Sequence, residues 1–149
     1  MKRFVFLAAL PLFAASAFAQ SPDAMTPADE QICVFAKAAG TSIEAMVDVF
    51  REQSSRFPVA ARDGLVGQIT AQLRSYRFQD AAAYRVYELP DYTRIYAVPA
   101  ATDSKMIFFV LTYERYGGEV VLTNFQYADK LENALKVTYV SDPLTVDCP

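Results

Sequence analysis

Histidine is absent from the 149 residues of this chain, and cysteine occurs only twice. Without histidine, the chain cannot form Ser-His or Cys-His catalytic pairs or histidine metal sites. The cysteines, Cys33 and Cys148, do not form a redox C-x-x-C motif. A glycine-rich phosphate loop is also missing, because Gly117 and Gly118 lie in a predicted strand turn that no helix follows. We therefore expect no metal, no cofactor and no enzymatic activity.

Long apolar runs are also scarce, and the one that is present lies at the start of the chain. Two basic residues precede the run from Phe4 to Phe13, and Ala17 and Ala19 supply the small residues of a signal peptidase site. The run is too short to span a membrane, which takes about 20 residues. We expect cleavage after Ala19, so that residues 1–19 are a signal peptide and residues 20–149 form a single α+β domain. The expected location is the bacterial periplasm or the cell exterior, without membrane insertion.

Basic residues are fewer than acidic ones in the exported chain. Removal of the signal peptide takes away Lys2 and Arg3, which lowers the basic count from 14 to 12 against 17 acidic residues, a net charge of −5. Nucleic-acid binding is dominated by neutralisation of phosphates. The charge balance therefore predicts that neither nucleic acid nor an anionic membrane surface is a partner.

The two cysteines can pair only with each other. An oxidising compartment permits a disulfide between Cys33 and Cys148, which would tie the end of the chain to the first helix. The alternative is that Cys33 is a buried free thiol inside a helix, because free cysteine is often buried.

Helical patterns occupy the first part of the exported chain. Thr26 as a cap, Pro27 at the first helical position and Gly40 as a stop define the first helix. Thr41 and Glu44 are spaced as a capping box that begins a second helix. A third helix begins between positions 58 and 64. The apolar positions that recur along the last two helices are Ile43, Met46, Val47 and Phe50, then Leu65, Val66, Ile69, Leu73 and Tyr76.

From Ala83 onward the hydrophobic period changes to two, and the residues become β-branched and aromatic. Residues 83–98 predict a hairpin with a Pro-Asp turn, and residues 106–128 predict a longer one. Residues 130–149 predict one or two helical turns, followed by either a last strand or an extended tail. The expected fold is α+β, with N-terminal helices packed on a curved antiparallel sheet of about four strands.

This order of elements, with its "YGGEVVLTNFQYAD" ending, resembles the NTF2-like, or cystatin-like cone, group of small exported bacterial proteins. The resemblance covers residues 26–129 and rests on the order and length of elements. It implies a concave sheet that can enclose a pocket between the strands and the helices. This group hosts unrelated activities, so the resemblance alone names no function.

The long hairpin raises the question of what its two amides, Asn124 and Gln126, face. A two-residue turn at Gly117 and Gly118 pairs Phe108 with Tyr127, and neither face is then wholly polar or wholly apolar. The more apolar face, with Phe108, Val110, Phe125 and Tyr127, is expected to pack against the helices. The mixed face is expected to line a ligand pocket and carries Phe109, Leu111, Tyr113, Asn124 and Gln126. The alternative is that the amides face solvent or satisfy a strand edge.

In the first hairpin, a two-residue turn at Pro90 and Asp91 would place Tyr87 beside Arg94 and Arg85 beside Tyr96. Interleaved Arg and Tyr could bind a partner, or receive a carboxylate or phosphate, because Arg supplies paired donors. The alternative is a solvated face with exposed cation-π contacts.

These observations predict a non-enzymatic binding or accessory domain. It would hold a small amphipathic ligand in the cone or dock another envelope protein on its sheet. The first alternative is a periplasmic immunity or inhibitor protein that neutralises a toxin or hydrolase with aromatic and Arg anchors. The second is a proton-transfer enzyme of the cone type, for which only Tyr113, Tyr127 and Glu114 could act. The oligomeric state is open, and a dimer is one option.

Overall fold

The computed structural model describes residues 25–89, 92–135 and 143–149. The predicted signal peptide and the Pro90-Asp91 turn lie outside these residues. The described chain has an α+β fold, in which three helices precede a six-stranded antiparallel open sheet. None of the described helices has the length and apolar character needed to cross a membrane.

The three predicted helices are present as α1 (Pro27–Ala39), α2 (Ile43–Gln53) and α3 (Val59–Leu73). Thr26 caps α1 as predicted, and its hydroxyl and the Asp29 carboxylate form a reciprocal capping box. The predicted box at the start of α2 is wrong by one residue, because Ser42 caps it by accepting a hydrogen bond from the Ala45 N–H.

Six strands form the sheet, where about four were predicted. They are β1 (Phe78–Ala81), β2 (Tyr84–Leu89), β3 (Thr93–Thr102), β4 (Met106–Tyr116), β5 (Glu119–Ala128) and β6 (Leu144–Thr145). The spatial order is β5-β4-β3-β2-β6, and β1 pairs with the part of β3 that extends beyond β2. The short helix α4 (Leu131–Leu135) follows β5.

Helices α1 to α3 pack on one face of the sheet, which we call the helix-covered face. The core there joins Ile32, Phe35 and Phe50 of the helices to Phe109 and Phe125 of the strands. The end of α1 approaches β1 so closely that a Cβ on Gly40 would lie 3.0 Å from the Ala81 nitrogen. This contact explains a glycine at the position where the sequence predicted a helix stop.

The opposite side of the sheet, which we call the outer face, carries a second and smaller cluster. Ala134 and Leu135 of α4 pack there with Val86, Ala97 and Val110. Since α4 has only five residues, it covers only part of the sheet.

The predicted disulfide between Cys33 and Cys148 is formed. It joins α1 to the segment that contains β6, which pairs with the start of β2. A disulfide indicates an oxidising, extracytoplasmic location.

Candidate binding faces of the sheet

The turn of the long hairpin has the predicted length, but the register beyond it is wrong. Gly117 and Gly118 have φ angles of 60° and 90°, as a two-residue hairpin turn requires. Pairing from the turn to Tyr113 and Leu122 follows the prediction. A β-bulge at Thr123 then shifts all pairs beyond it by one residue.

The bulge separates the five residues that were predicted to line one pocket. Phe109, Leu111 and Tyr113 are 0 to 1% exposed and belong to the core beneath the helices. Asn124 pairs with Thr112 and Gln126 pairs with Val110, so both amides project from the outer face. The predicted pocket lining therefore does not come together.

The predicted apolar face is divided in the same way. Phe125 is buried in the core beneath the helices, and Tyr127 packs against that core from the same face, both as predicted. Phe108 and Val110 instead lie on the outer face, where they pack in the cluster around α4. Side chains alternate between faces along a strand, so one bulge reverses the predicted faces of the β4 residues. Those predicted to face the helices lie on the outer face, and those predicted to line the pocket lie beneath the helices.

The space between the helices and the sheet is filled by aromatic rings. The Phe35 ring lies 5.7 Å from that of Phe109 and 5.9 Å from that of Phe125. Tyr113 donates a hydrogen bond to Gln53 Oε1 at 2.7 Å, and Tyr127 donates one to Gln72. These contacts give the region the character of a packed core.

The residues considered for proton transfer are also dispersed. Tyr113 and Tyr127 lie on the helix-covered face, whereas Glu114 is exposed on the outer face. Burial raises the pKa of both hydroxyls, that of Tyr113 well above its ordinary value. The structure does not bring these groups together.

In the first hairpin, a bulge between Arg85 and Tyr87 makes one of the two predicted pairs wrong. Arg85 pairs with Tyr96 as predicted. Tyr87 pairs with Ile95 rather than with Arg94, and it lies on the outer face. Glu88 takes the predicted place of Tyr87 beside Arg94.

Arg85 and Arg94 converge on the carboxylate of Glu88. The Arg85 guanidinium donates to Glu88 Oε2 at 2.7 Å, and Nε of Arg94 donates to Oε1 at 2.8 Å. The side chains of all three are between 22 and 30% exposed. The two arginines therefore bind a carboxylate, as the sequence suggested. This carboxylate is the side chain of Glu88 and not that of a ligand or partner.

Beside this ion group, Tyr96 donates a hydrogen bond to Asp29 Oδ1 at 2.8 Å. Burial raises the pKa of the Asp29 carboxyl, but hydrogen bonds from Thr26 and Tyr96 and the nearby charge of Arg85 outweigh burial and hold that pKa below 3.8. Burial and the bond to Asp29 raise the pKa of Tyr96 above 10.0. At neutral pH the pair is a carboxylate and a neutral phenol, an arrangement that anchors α1 on the sheet.

Sequence reasoning missed the acidic residue of the ion group, Glu88, and the acidic partner of Tyr96, Asp29. Asp29 is the third helical residue of α1, a position from which its carboxylate caps the helix and also reaches β3. Glu88 lies six residues before Arg94 across the hairpin. Basic and acidic residues in the same hairpin could have indicated an ion pair with Glu88. The bulge that places Glu88 opposite Arg94 cannot be recognised from that charge pattern.

Among the described elements, only α4 packs on the outer face, and beyond it a row of side chains runs across four strands. Tyr87 pairs with Ile95, Ile95 with Thr112, and Thr112 with Asn124. The first three are half-buried, and Asn124 is exposed. A second row, nearer the hairpin turns, joins Leu89, Thr93, Glu114 and Val121. We call these two rows the open face.

The open face mixes apolar and neutral polar side chains. Its single charged residue is Glu114. Leu89 adds an exposed aliphatic side chain, 47% accessible, to the half-buried Tyr87 and Ile95. A sheet surface of this composition resembles a protein interface more than a charged solvated surface.

Two aromatic side chains protrude at the same end of the sheet. Tyr92 is 68% exposed and Tyr116 is 73% exposed. Tyr116 directly precedes the Gly-Gly turn, and Tyr92 directly precedes β3, where its carbonyl accepts a hydrogen bond from the Arg115 N–H at 2.8 Å. We call this pair the tyrosine tips.

Neither face has the donor set of a metal site, since the described residues contain no group of three or more metal-ligating side chains. No family model matches this chain, and no curated protein or solved structure matches it. The resemblance to the NTF2-like group therefore stays a prediction, and the sites must be interpreted from their own geometry.

Proposed function

We propose that this protein is a periplasmic docking domain that binds another envelope protein through its open face. Its exported state rests on the predicted signal peptide and is supported by the disulfide. The observation that carries the proposal is the contrast between the two sides of the sheet. Aromatic rings pack together on the helix-covered face, whereas the row on the other face is half-buried at Tyr87, Ile95 and Thr112 and exposed at Asn124.

The chemistry of the open face favours a protein as the partner. Tyr87, Ile95 and Leu89 provide apolar area, and Thr112 and Asn124 provide hydrogen-bonding groups that orient a docked surface. Because Glu114 is the single charge of this face and the exported chain is acidic, electrostatic complementarity favours a neutral or basic partner surface.

A photocrosslinking amino acid placed at single positions in the exported protein tests this proposal. Positions 112 and 124 lie on the open face, and Gln68, exposed on α3, provides the matched control. We expect one crosslinked envelope protein from positions 112 and 124 and none from position 68. An additional Asn124→Arg substitution should remove the product made from position 112, because it places a cation against a neutral or basic partner.

Other outcomes contradict the proposal. A product of two copies of this chain would identify the open face as a homodimer interface. Equal labelling from position 68, or absence of any product from both open-face positions in the native host, would eliminate this face as a docking surface.

A second candidate function is inhibition of a toxin or hydrolase, and the tyrosine tips favour it. Exposed Tyr side chains are frequent hot spots because they bury a large area at low entropic cost. Crosslinking from positions 92 and 116 to a hydrolase, with none from position 124, would favour this function over docking on the open face. A Tyr92→Ala and Tyr116→Ala double variant should then lose inhibition while keeping its stability.

A further inference from the structure

A cleft of about 430 Å³ lies where the last turn of α1 meets the β1–β2 connection and the segment around β6. This volume is within the range of small-molecule sites, about 300 to 1,000 Å³. Small side chains from the connection, Ala81 to Ala83, form one wall. The residues that give the cleft its chemistry are Cys33, Lys37, Thr41, Asp80 and Cys148.

The disulfide itself is part of the cleft wall, and its two ends differ in exposure. Cys148 is exposed, whereas Cys33 is 8% exposed in α1. This difference in residue exposure favours attack at Sγ of Cys148, with Cys33 as the departing sulfur.

Lys37 is placed to assist such a reaction. It follows Cys33 by one helical turn, so both side chains lie on the same side of α1, and both line the cleft. Lys37 is the one cation among the cleft residues, and it forms no ion pair with another described residue. Its ammonium can attract an anion into the cleft and stabilise a thiolate at Cys33.

Few contacts other than the disulfide hold the segment around β6. Leu144 and Thr145 make two ladder pairs with β2, and the Val146 N–H donates to the Ala83 carbonyl at 3.0 Å. Val146 is the one residue of this segment in the main core. Opening of the disulfide would therefore release a short segment and leave most of the core in place.

We propose that the Cys33–Cys148 disulfide is an exchange site for small anionic thiols, which bind in this cleft through Lys37. The thiolate sulfur forms a bond to Sγ of Cys148 as the bond between the two cysteine sulfurs breaks, and Cys33 leaves as a thiolate that water can protonate. This first step transfers a sulfur bond without net oxidation or reduction. A second thiol can then release Cys148 and carry away the original thiol as its disulfide.

The experiment measures disulfide opening in the intact exported protein with three thiols of different charge: mercaptopropionate, mercaptoethanol and cysteamine. Samples are quenched with acid at intervals, alkylated and mapped by mass spectrometry, and rates are normalised to thiolate concentration and intrinsic nucleophilicity. We expect the carboxylate thiol to react fastest and the cationic one slowest, with the mixed disulfide at Cys148. High salt should reduce the difference, because it screens the Lys37 charge.

Two variants identify the source of the selectivity. Lys37→Ala should slow the anionic thiol by up to about fivefold, the upper range of one solvent-exposed charge interaction, and leave the neutral thiol nearly unchanged. Asp80→Asn, which removes the opposing charge at the cleft, should speed the anionic thiol. Lys130→Ala, with Lys130 exposed outside the cleft, is the matched control and should change neither rate.

Equal normalised rates for the three thiols in wild-type protein would overturn the proposal. An equal effect of Lys37→Ala on neutral and anionic thiols would do so as well, since it would indicate a structural role. A mixed disulfide found first at Cys33 would contradict the assigned direction of attack.

Discussion

The two faces of this sheet are built from the same strands but differ in how deeply their side chains are buried. Beneath the helices, Phe109 and Phe125 are at most 5% exposed and pack ring against ring at 6.1 Å. On the outer side, Thr112 of the same strand as Phe109 is half-buried, and Asn124, next to Phe125 in the sequence, is exposed. The larger core therefore lies on the helix-covered face, and the outer face carries only the smaller cluster around α4.

The largest effect should come from the helix-covered face. Phe125→Ala should lower the free energy of unfolding by about 3 to 5 kcal/mol, because it leaves a cavity among the rings of Phe35, Phe50 and Phe109. Urea unfolding followed by circular dichroism measures the change. Asn124→Ala, one residue away on the open face, is the control. If both variants lose the same stability, the division between the faces is wrong.

A smaller loss is expected from Tyr96→Phe. This substitution keeps the ring but removes the hydrogen bond to Asp29, so the buried carboxylate loses a donor. We expect a cost of about 1 to 3 kcal/mol, the usual range for an unsatisfied buried acceptor. Equilibrium unfolding at neutral pH gives the value. A change near zero would show that the bond does not hold α1 against the sheet.

The buried hydroxyls of Tyr96 and Tyr113 predict that the protein loses stability at alkaline pH. Since the pKa values of Tyr96 and Tyr113 are raised above 10.0 in the folded protein, the unfolded chain loses these protons first. Their stabilising effect is complete below the unfolded pKa of about 10 and decreases as pH rises above it.

Urea midpoints measured from neutral to strongly alkaline pH test this expectation. The double variant Tyr96→Phe, Tyr113→Phe should show a shallower decline than the wild type. Identical slopes in the two proteins would assign the alkaline loss to other groups.

The smallest effect should come from the two amides on the outer face. Replacement of both Asn124 and Gln126 by Leu should change the free energy of unfolding by only about 0.5 kcal/mol in either direction, as for most surface substitutions. Partner crosslinking should nevertheless change, because the polar groups that orient a docked surface are gone. Unfolding and crosslinking on the same preparations measure both properties. A loss as large as that of Phe125→Ala would mean that these amides support the fold.

Several features of the fold could be predicted because their causes are local. The cap at Thr26, the stop at Gly40 and the spacing of Ile43, Met46, Val47 and Phe50 specify helices through contacts within a few residues. The disulfide followed from counting, since only one pair of cysteines exists. The Gly-Gly turn was predictable because both of its residues adopt positive φ.

The candidate sites could be predicted only in part. Arg85, Arg94 and Tyr96 were correctly placed together, but Tyr87 was assigned to the wrong face and Glu88 was overlooked. The cleft beside Cys148 brings together residues that are more than 100 positions apart, and no local pattern indicates that proximity.

The sequence by itself determined the order of the three helices and the four longer strands, the pairing of the cysteines and the length of the Gly-Gly turn, because each depends on neighbouring residues or on composition. Tertiary structure alone decided which face each strand residue occupies. The bulge at Thr123 inserts one residue into β5, and the one near Val86 does the same in β2. One extra residue exchanges the two sides of a strand because its side chains alternate with a period of two, so Asn124 and Gln126 lie on the outer face while Phe109 and Leu111 lie in the core.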